Sequence, residues 1–377
     1  MNKATKTILG LVILIIIVLA IYLGIGKKTT PTTSTTKEPI KIGFIGPLTG
    51  GAAAGIGIPH QRGFMIGIDD RRKEGINLDV VFEDDQGDKT KAVTIAQQLL
   101  ATDKNIKILV SPLSGVSFAL APIAKENKVI LFSTGANPNI AKTNENTFRL
   151  FINTNQEAKI MAEYAKNDLN LKSAAILYMN DDFAISERDA VKREFESRGI
   201  NIIKEEAFEI NATDVKTQVT KILTANPEAI IFAGYGSGLV TAIKTVREFG
   251  YKGVYFSGLN AAYPPLSTDL INLTEGMYIT DFNFDIEDLK IKEFVNEFKN
   301  RFGVDRVYPN SALEYAVTEI IGEVIKECKD NIECIKNKLS YGKFNTILGE
   351  IVFKDRDASP PVILKQIVNG KEVIVKK

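Results

Sequence analysis

From Ile40 onward, short apolar runs alternate with longer stretches in which apolar positions recur every three or four residues. The first kind predicts buried strands and the second amphipathic helices. Ile40–Ile45 (IKIGFI) reads as a strand that stops at Gly46-Pro47, and a helical period follows from about Pro59 to Lys73, ending at Gly75. Leu78–Glu83 is the next strand and Lys89–Thr102 the next helix, with Ala92, Ile95, Ala96 and Leu99 on one face. Strand Ile106–Val110, helix Ser117–Asn127 and strand Val129–Phe132 continue the series. It resumes with helix Gln156–Asn170, strand Ala174–Met179, helix Phe183–Arg198 and strand Ile202–Phe208. Helix Thr213–Thr224, strand Ala229–Ala233, helix Leu239–Phe249 and strand Val254–Ser257 complete it. Beyond Thr280 the order changes: helices Glu287–Phe302, Asn310–Cys328 and Ile332–Leu339 run consecutively, and strands Gly349–Phe353 and Val362–Val368 close the chain.

Such alternation predicts an α/β protein with parallel sheets covered on both faces. There are too many strands for one sheet of ordinary size, and the rhythm restarts near Phe148–Thr154 after a polar stretch. The expected architecture is two doubly wound open lobes with a ligand cleft between them, formed by the carboxyl ends of the strands.

The N-terminal pattern is different. Ile8–Ile25 contains eighteen residues without a charge, a helix of about 27 Å against a hydrocarbon core of ~30 Å. Lys3 and Lys6 precede it and Lys27 and Lys28 follow it, so the flanking charge does not orient it. Residues 1–28 read as a retained membrane anchor or a signal, the run being longer than a signal peptide's usual apolar core. Residues 29–39 (TTPTTSTTKEP, from Thr29) have no apolar side chain and read as a linker. Either reading exports the rest of the chain, where Asn211-Ala212-Thr213 and Asn272-Leu273-Thr274 are glycosylation sequons.

Composition narrows the chemistry. Lys plus Arg is 47 against 46 Asp plus Glu, and the part after residue 38 carries 42 and 45. That balance lacks the basic face a nucleic-acid binder needs. His60 is the one histidine, and Cys328 and Cys334 are the two cysteines. No usual zinc set can be assembled, and no catalytic triad except one centred on His60. With no metal, cofactor or catalytic motif, the chain is read as a non-enzyme. The two cysteines, at the junction of two helices, predict a local disulfide in an exported protein.

Several loops at strand ends are candidates for binding. Gly46–Gly57 is long and Gly-rich but is not closed by Gly-Lys-Ser/Thr, so it is a flexible turn or a cleft wall rather than a phosphate loop. Gly234-Tyr235-Gly236-Ser237-Gly238 lacks the third glycine of a dinucleotide fingerprint, and Tyr235 reads as an aromatic cleft wall with a hydrogen-bonding tip. Ser114 and Ser117 stand at a helix start, as N-caps or as part of a carboxylate receptor. The pairs Asp69-Asp70, Asp84-Asp85 and Asp181-Asp182 lack calcium-loop spacing and are expected to be solvated.

The ordered set Ile42–Thr49 (IGFIGPLT), Glu83-Asp84-Asp85-Gln86-Gly87-Asp88, Ala121-Pro122-Ile123-Ala124, Asn137-Pro138 and Gly234-Tyr235 resembles the branched-chain amino-acid type of ABC-transporter substrate-binding protein. The closing Gly349–Phe353 and Asn369-Gly370-Lys371 resemble that family's C-terminal hairpin, so the likeness spans nearly all of Ile40–Lys377. It implies a type I periplasmic-binding fold of two lobes joined by three crossings, residues 40–151 plus 282–343 forming lobe 1 and 152–281 plus 344–377 lobe 2. It implies permease subunits as partners, a small-molecule solute and no cofactor. The implied ligand-binding residues are Ser114 with Gly115 for a carboxylate, the Thr134-Gly135-Ala136 loop, Phe183, Tyr235 and Asn260. The sequence departs from the family at two places. Thr134–Pro138 lacks the threonine of the usual Ser-Ala-Thr-Asn-Pro, and no acid stands near Leu259-Asn260 to meet an α-ammonium. An unpaired buried ammonium costs several kcal/mol, so Asn260 points to a neutral amide or to an acid without an amine. The expected function is the extracytoplasmic solute-binding component of an importer, held at the cell membrane by its N-terminal helix. A membrane-anchored extracellular sensor with the same lobes is the alternative, although the six residues before Thr7–Gly26 leave no cytosolic output domain.

Overall fold

The computed structural model describes residues 38–50, 54–259, 273–282, 284 and 288–377, and in it the alternation becomes two open sheets. The Ile8–Ile25 anchor, most of the Thr29–Pro39 linker, Asn260 and Asn272 lie outside the described residues. Among those residues no helix is long and apolar enough to cross a membrane.

In the first sheet β1 (Ile40–Gly46) is flanked by β2 (Leu78–Asp84) and β3 (Ile106–Ser111). β4 (Ile130–Ser133), β5 (Thr147–Leu150) and a two-residue β13 (Asp357–Ala358) extend it, all parallel. The second sheet runs in the order β7 (Asn201–Phe208), β6 (Ser173–Met179), β8 (Ala229–Ala233), β9 (Val254–Ser257) and β10 (Tyr278–Phe282), again parallel. The antiparallel β14 (Val362–Val368) and β15 (Lys371–Lys376) finish it. Their two-residue turn, Asn369-Gly370, has positive φ at both positions, the conformation a tight hairpin requires. Strand order reverses between β1 and β3 and between β6 and β8, which sets two switch-point crevices.

The chain crosses between sheets after β5, after β10 and after β13. Sequence reading assigned 344–377 to lobe 2, yet Asp357–Ala358 pairs with Arg149–Leu150 on the first sheet. Phe344 and Phe353 pack there too, Phe353 meeting Phe132 edge-on at 6.0 Å. A two-residue strand has no periodicity to read, so the last crossing falls after Ala358.

Helix α1 (Ala54–Lys73) begins five residues earlier than expected and contains Pro59. Pro59, in the second turn, has no N–H for the Gly55 carbonyl, so one intrahelical bond is missing there. α1 packs against α9 (Pro309–Cys328) at backbone contact. A Cβ on Gly63 would fall 1.9 Å from the Ser311 carbonyl oxygen, so only glycine fits. That contact places His60 of α1 beside Glu314 of α9.

The acidic pairs are not uniformly solvated as expected. Asp84 accepts from the Leu48 amide at 2.8 Å, the Thr49 amide at 3.2 Å and the Thr49 hydroxyl, holding the first βα loop. Asp85 is fully buried, and burial pushes its carboxyl up to about 6.

Candidate functional site

The carboxyl ends of both sheets converge on one cavity of about 110 Å³. From the first sheet come residues after β2, β3, β4 and β5, and from the second residues after β6, β7 and β8.

Helix α3 (Ser114–Glu126) starts three residues before the predicted Ser117. Leu113 takes the N-cap position and supplies no side-chain cap. Neither Ser114 nor Ser117 is the N-cap. Ser117 is buried and bonds the Ser133 hydroxyl at 2.7 Å. The first amides of α3, at Ser114, Gly115 and Val116, have no intrahelical acceptor and lie at the positive end of the helix dipole. All three residues line the cavity. The Ser114 hydroxyl accepts from the Asn137 amide at 3.2 Å, which leaves its proton free for an acceptor in the cleft.

In the loop after β4, Thr134 and Ala136 line the cavity and Gly135 does not. The Thr134 amide donates to Ser111 O at 3.0 Å and the Gly135 amide to Ser133 Oγ at 3.0 Å. Only the Ala136 amide has no partner among the described residues. Below the loop lies Arg149, fully buried, whose Nη1 donates to the carbonyls of Gly135 (3.2 Å), Ala136 (3.4 Å) and Phe151 (3.1 Å). Its Nε donates to Asp357 at 2.6 Å. With the loop carbonyls drawn down to Arg149, an amide is left for the cleft.

The opposite wall is aromatic and acidic. Asp181 caps α5 (Asp182–Ser197) by accepting from the Ala184 amide at 2.8 Å, and it accepts from the Tyr235 hydroxyl at 2.9 Å. Burial pushes the Asp181 carboxyl up to about 6, while burial and Asp181 together push the Tyr235 hydroxyl well up. Tyr235 is positioned by Gly236, whose φ of 66° turns the chain from β8 into α7 (Gly236–Glu248). The Tyr235 and Phe183 rings stand 6.0 Å apart. Across the mouth, Lys89 of α2 (Lys89–Thr102) pairs with Asp182, and Asn137 Nδ2 donates to the Asp182 carbonyl at 3.2 Å.

Of the residues named from sequence, Ser114, Gly115, Thr134, Ala136, Phe183 and Tyr235 therefore share one cavity, and Asn260 is outside the described residues. Sequence reasoning missed His60, Asn310, Phe151 and Asp181 as lining residues. His60 was visible only as a lone histidine on a helical period. Asn310 gave no signal, because its place depends on how α9 packs on α1. Also unforeseen are Glu157 of α4 (Thr154–Asn167) and Glu187 of α5, fully buried behind Asp181. Burial pushes Glu157 up to about 7, and burial with its two acidic neighbours pushes Glu187 well up.

The periplasmic binding protein family model matches residues 39–371. The chain belongs to that family. A Leu/Ile/Val-binding protein homologue from Brucella melitensis is 23% identical over 87% of this chain and 91% of its own. A leucine-binding protein from Thermotoga maritima shares the fold with a TM-score of 0.80 at 23% identity, over 89% of this chain and 97% of that one. A solute-binding protein of an ABC transporter from R. palustris, solved with 4-hydroxybenzoate, has a TM-score of 0.80 at 18% identity, over 90% and 96%. The two-sheet architecture is the type I periplasmic-binding fold, and this periplasmic binding protein is of the kind that serves ABC importers.

Proposed function

We propose that the protein captures a small carboxylate-bearing solute outside the cytoplasm, by cleft closure, and delivers it to the permease of an importer. The observation that carries this is the facing of two unlike walls in one cavity. Uncapped α3 amides with the Ser114 hydroxyl and the Ala136 amide lie on one side, and Phe183 and Tyr235 on the other. The first wall suits a carboxylate and the second an apolar or aromatic body. The relatives' leucine-type and 4-hydroxybenzoate ligands both fit that description. Residues 40–151 with 282–358, and 152–281 with 359–377, act as the closing lobes, and Asn260 is a further candidate for contact with the solute.

Ile8–Ile25 holds the protein to the membrane and the Thr-rich linker spaces it from the surface. Cys328 and Cys334, whose Cα atoms are 5.5 Å apart, form a disulfide that pins α9 to α10 (Ile332–Ser340). Mass spectrometry of solute carried through purification, followed by calorimetry with that solute, tests the assignment. A bound organic acid supports it, and a carried solute with no acidic group refutes it.

A further inference from the structure

The carboxylate receptor uses only part of the first-lobe wall. The remainder is a buried polar set on α1 and α9. His60 Nδ1 lies 2.8 Å from Glu314 Oε1, and the Thr134 hydroxyl donates to the same carboxylate oxygen. Both His60 and Glu314 are sealed from bulk water, at 1% and 0% exposure. With the shared proton on Nδ1, a neutral ring presents its other nitrogen as an acceptor. That nitrogen, Nε2, has no protein partner among the described residues, and His60 lines the cavity. One acceptor without a protein donor thus faces a space of about 110 Å³.

We propose that His60 is a specificity-determining residue that reads a hydrogen-bond donor on the solute, a hydroxyl or amine N–H carried in addition to its carboxylate. This rests on the carboxylate reading above and narrows it to hydroxy or amino acids over plain acids. Glu314 is a positioning residue that fixes the ring's tautomer from behind. The cavity is small enough for one compact solute to touch α3 with its carboxylate and His60 with its donor together. Were the donor an ammonium, Asp181 on the facing wall would add the opposite charge that the Leu259-Asn260 position lacks.

Because His60 is the only histidine, nitrogen NMR of the full chain reads this ring without assignment. The ligand-free ring should be protonated on Nδ1, and Nε2 should shift when a donor-bearing acid is added. An Nε2–H tautomer in the ligand-free protein would overturn the proposal. Calorimetry then compares acids with and without the donor: 4-methylpentanoate against its 2-hydroxy and 2-amino forms, and benzoate against 4-hydroxybenzoate. The parent should favour the donor-bearing member of at least one set by about tenfold or more. His60→Leu should reduce that ratio to about threefold or less, while His60→Gln, which keeps a side-chain acceptor, retains part of it. An unchanged ratio in His60→Leu, or a parent preferring the plain acids, refutes the assignment. If no acid binds the parent, the carboxylate reading itself fails, and the tautomer measurement still judges His60.

Discussion

Ala136 owes its place in the cleft to a side chain that does not line it. Arg149 gathers the carbonyls of Gly135, Ala136 and Phe151 and pairs with Asp357, so one guanidinium joins the ligand loop to the first and last crossings. Arg149→Leu leaves those carbonyls and Asp357 without their donor and should destabilise the protein by about 3–5 kcal/mol, the usual cost of breaking a buried ion pair. Denaturant titration checks this. Ser114→Ala removes a hydroxyl donor and the acceptor of the Asn137 amide, and should weaken an acidic solute by about 1.5–3 kcal/mol while lowering stability by about 1 kcal/mol. Calorimetry beside thermal melts separates the two effects. At this scale the sequence was informative where a residue's role follows from a local turn. Ser114 after a strand and Tyr235 between glycines are such cases. It was silent on Arg149, His60 and Asn310, whose partners lie far away in sequence and meet them only through packing.

Helices α4 and α5 bring Glu157 and Glu187 together in the interior of the second lobe. Among the described residues three of their four carboxylate oxygens have no hydrogen-bond partner, while Glu157 Oε1 accepts from Thr280 at 2.6 Å. Burial raises both groups, Glu157 to about 7, whereas an unfolded glutamate titrates near 4.3. The folded state therefore holds protons the unfolded state has released. Their contribution to stability is fully present below about pH 4 and is lost as pH rises through 7. Carboxylates held below their ordinary range, such as Asp84 and Asp103, have the opposite dependence, so the difference between parent and variant is the quantity to measure. Glu187→Gln should be more stable than the parent by about 1–2 kcal/mol at pH 8 and nearly equal at pH 4.5. An equal difference at both pH values would show that the pair does not titrate in this range. At the other end of the chain, peptide mapping without reduction should recover Cys328 and Cys334 in one linked species, and two alkylatable thiols would exclude the disulfide. Element type was readable wherever a helix or strand was long and periodic. The strands Thr147–Leu150, Tyr278–Phe282 and Asp357–Ala358 were missed, being short and lying beside polar or turn-rich stretches.

For the whole molecule the central feature is that the two walls of the cavity belong to different sheets. Among the described residues, the direct polar contacts across the mouth are the Lys89–Asp182 pair and Asn137 to the Asp182 carbonyl. Both Lys89 and Asp182 are substantially exposed, and exposed pairs contribute about 0–1 kcal/mol. Closure must then come from the solute, whose differential affinity for the shut cleft sets the population. A tenfold excess of closed over open needs only about 1.4 kcal/mol of such bias. Tyr235→Ala, which removes a wall reached only on closure, should therefore weaken solute affinity by about tenfold or more. The most direct measurement is small-angle scattering of the chain from Pro39 onward, with and without its identified solute, for the parent and for Tyr235→Ala. The parent should contract on binding and the variant should contract less at equal saturation. Full occupancy by calorimetry with no contraction of the parent would contradict capture by closure of the two lobes.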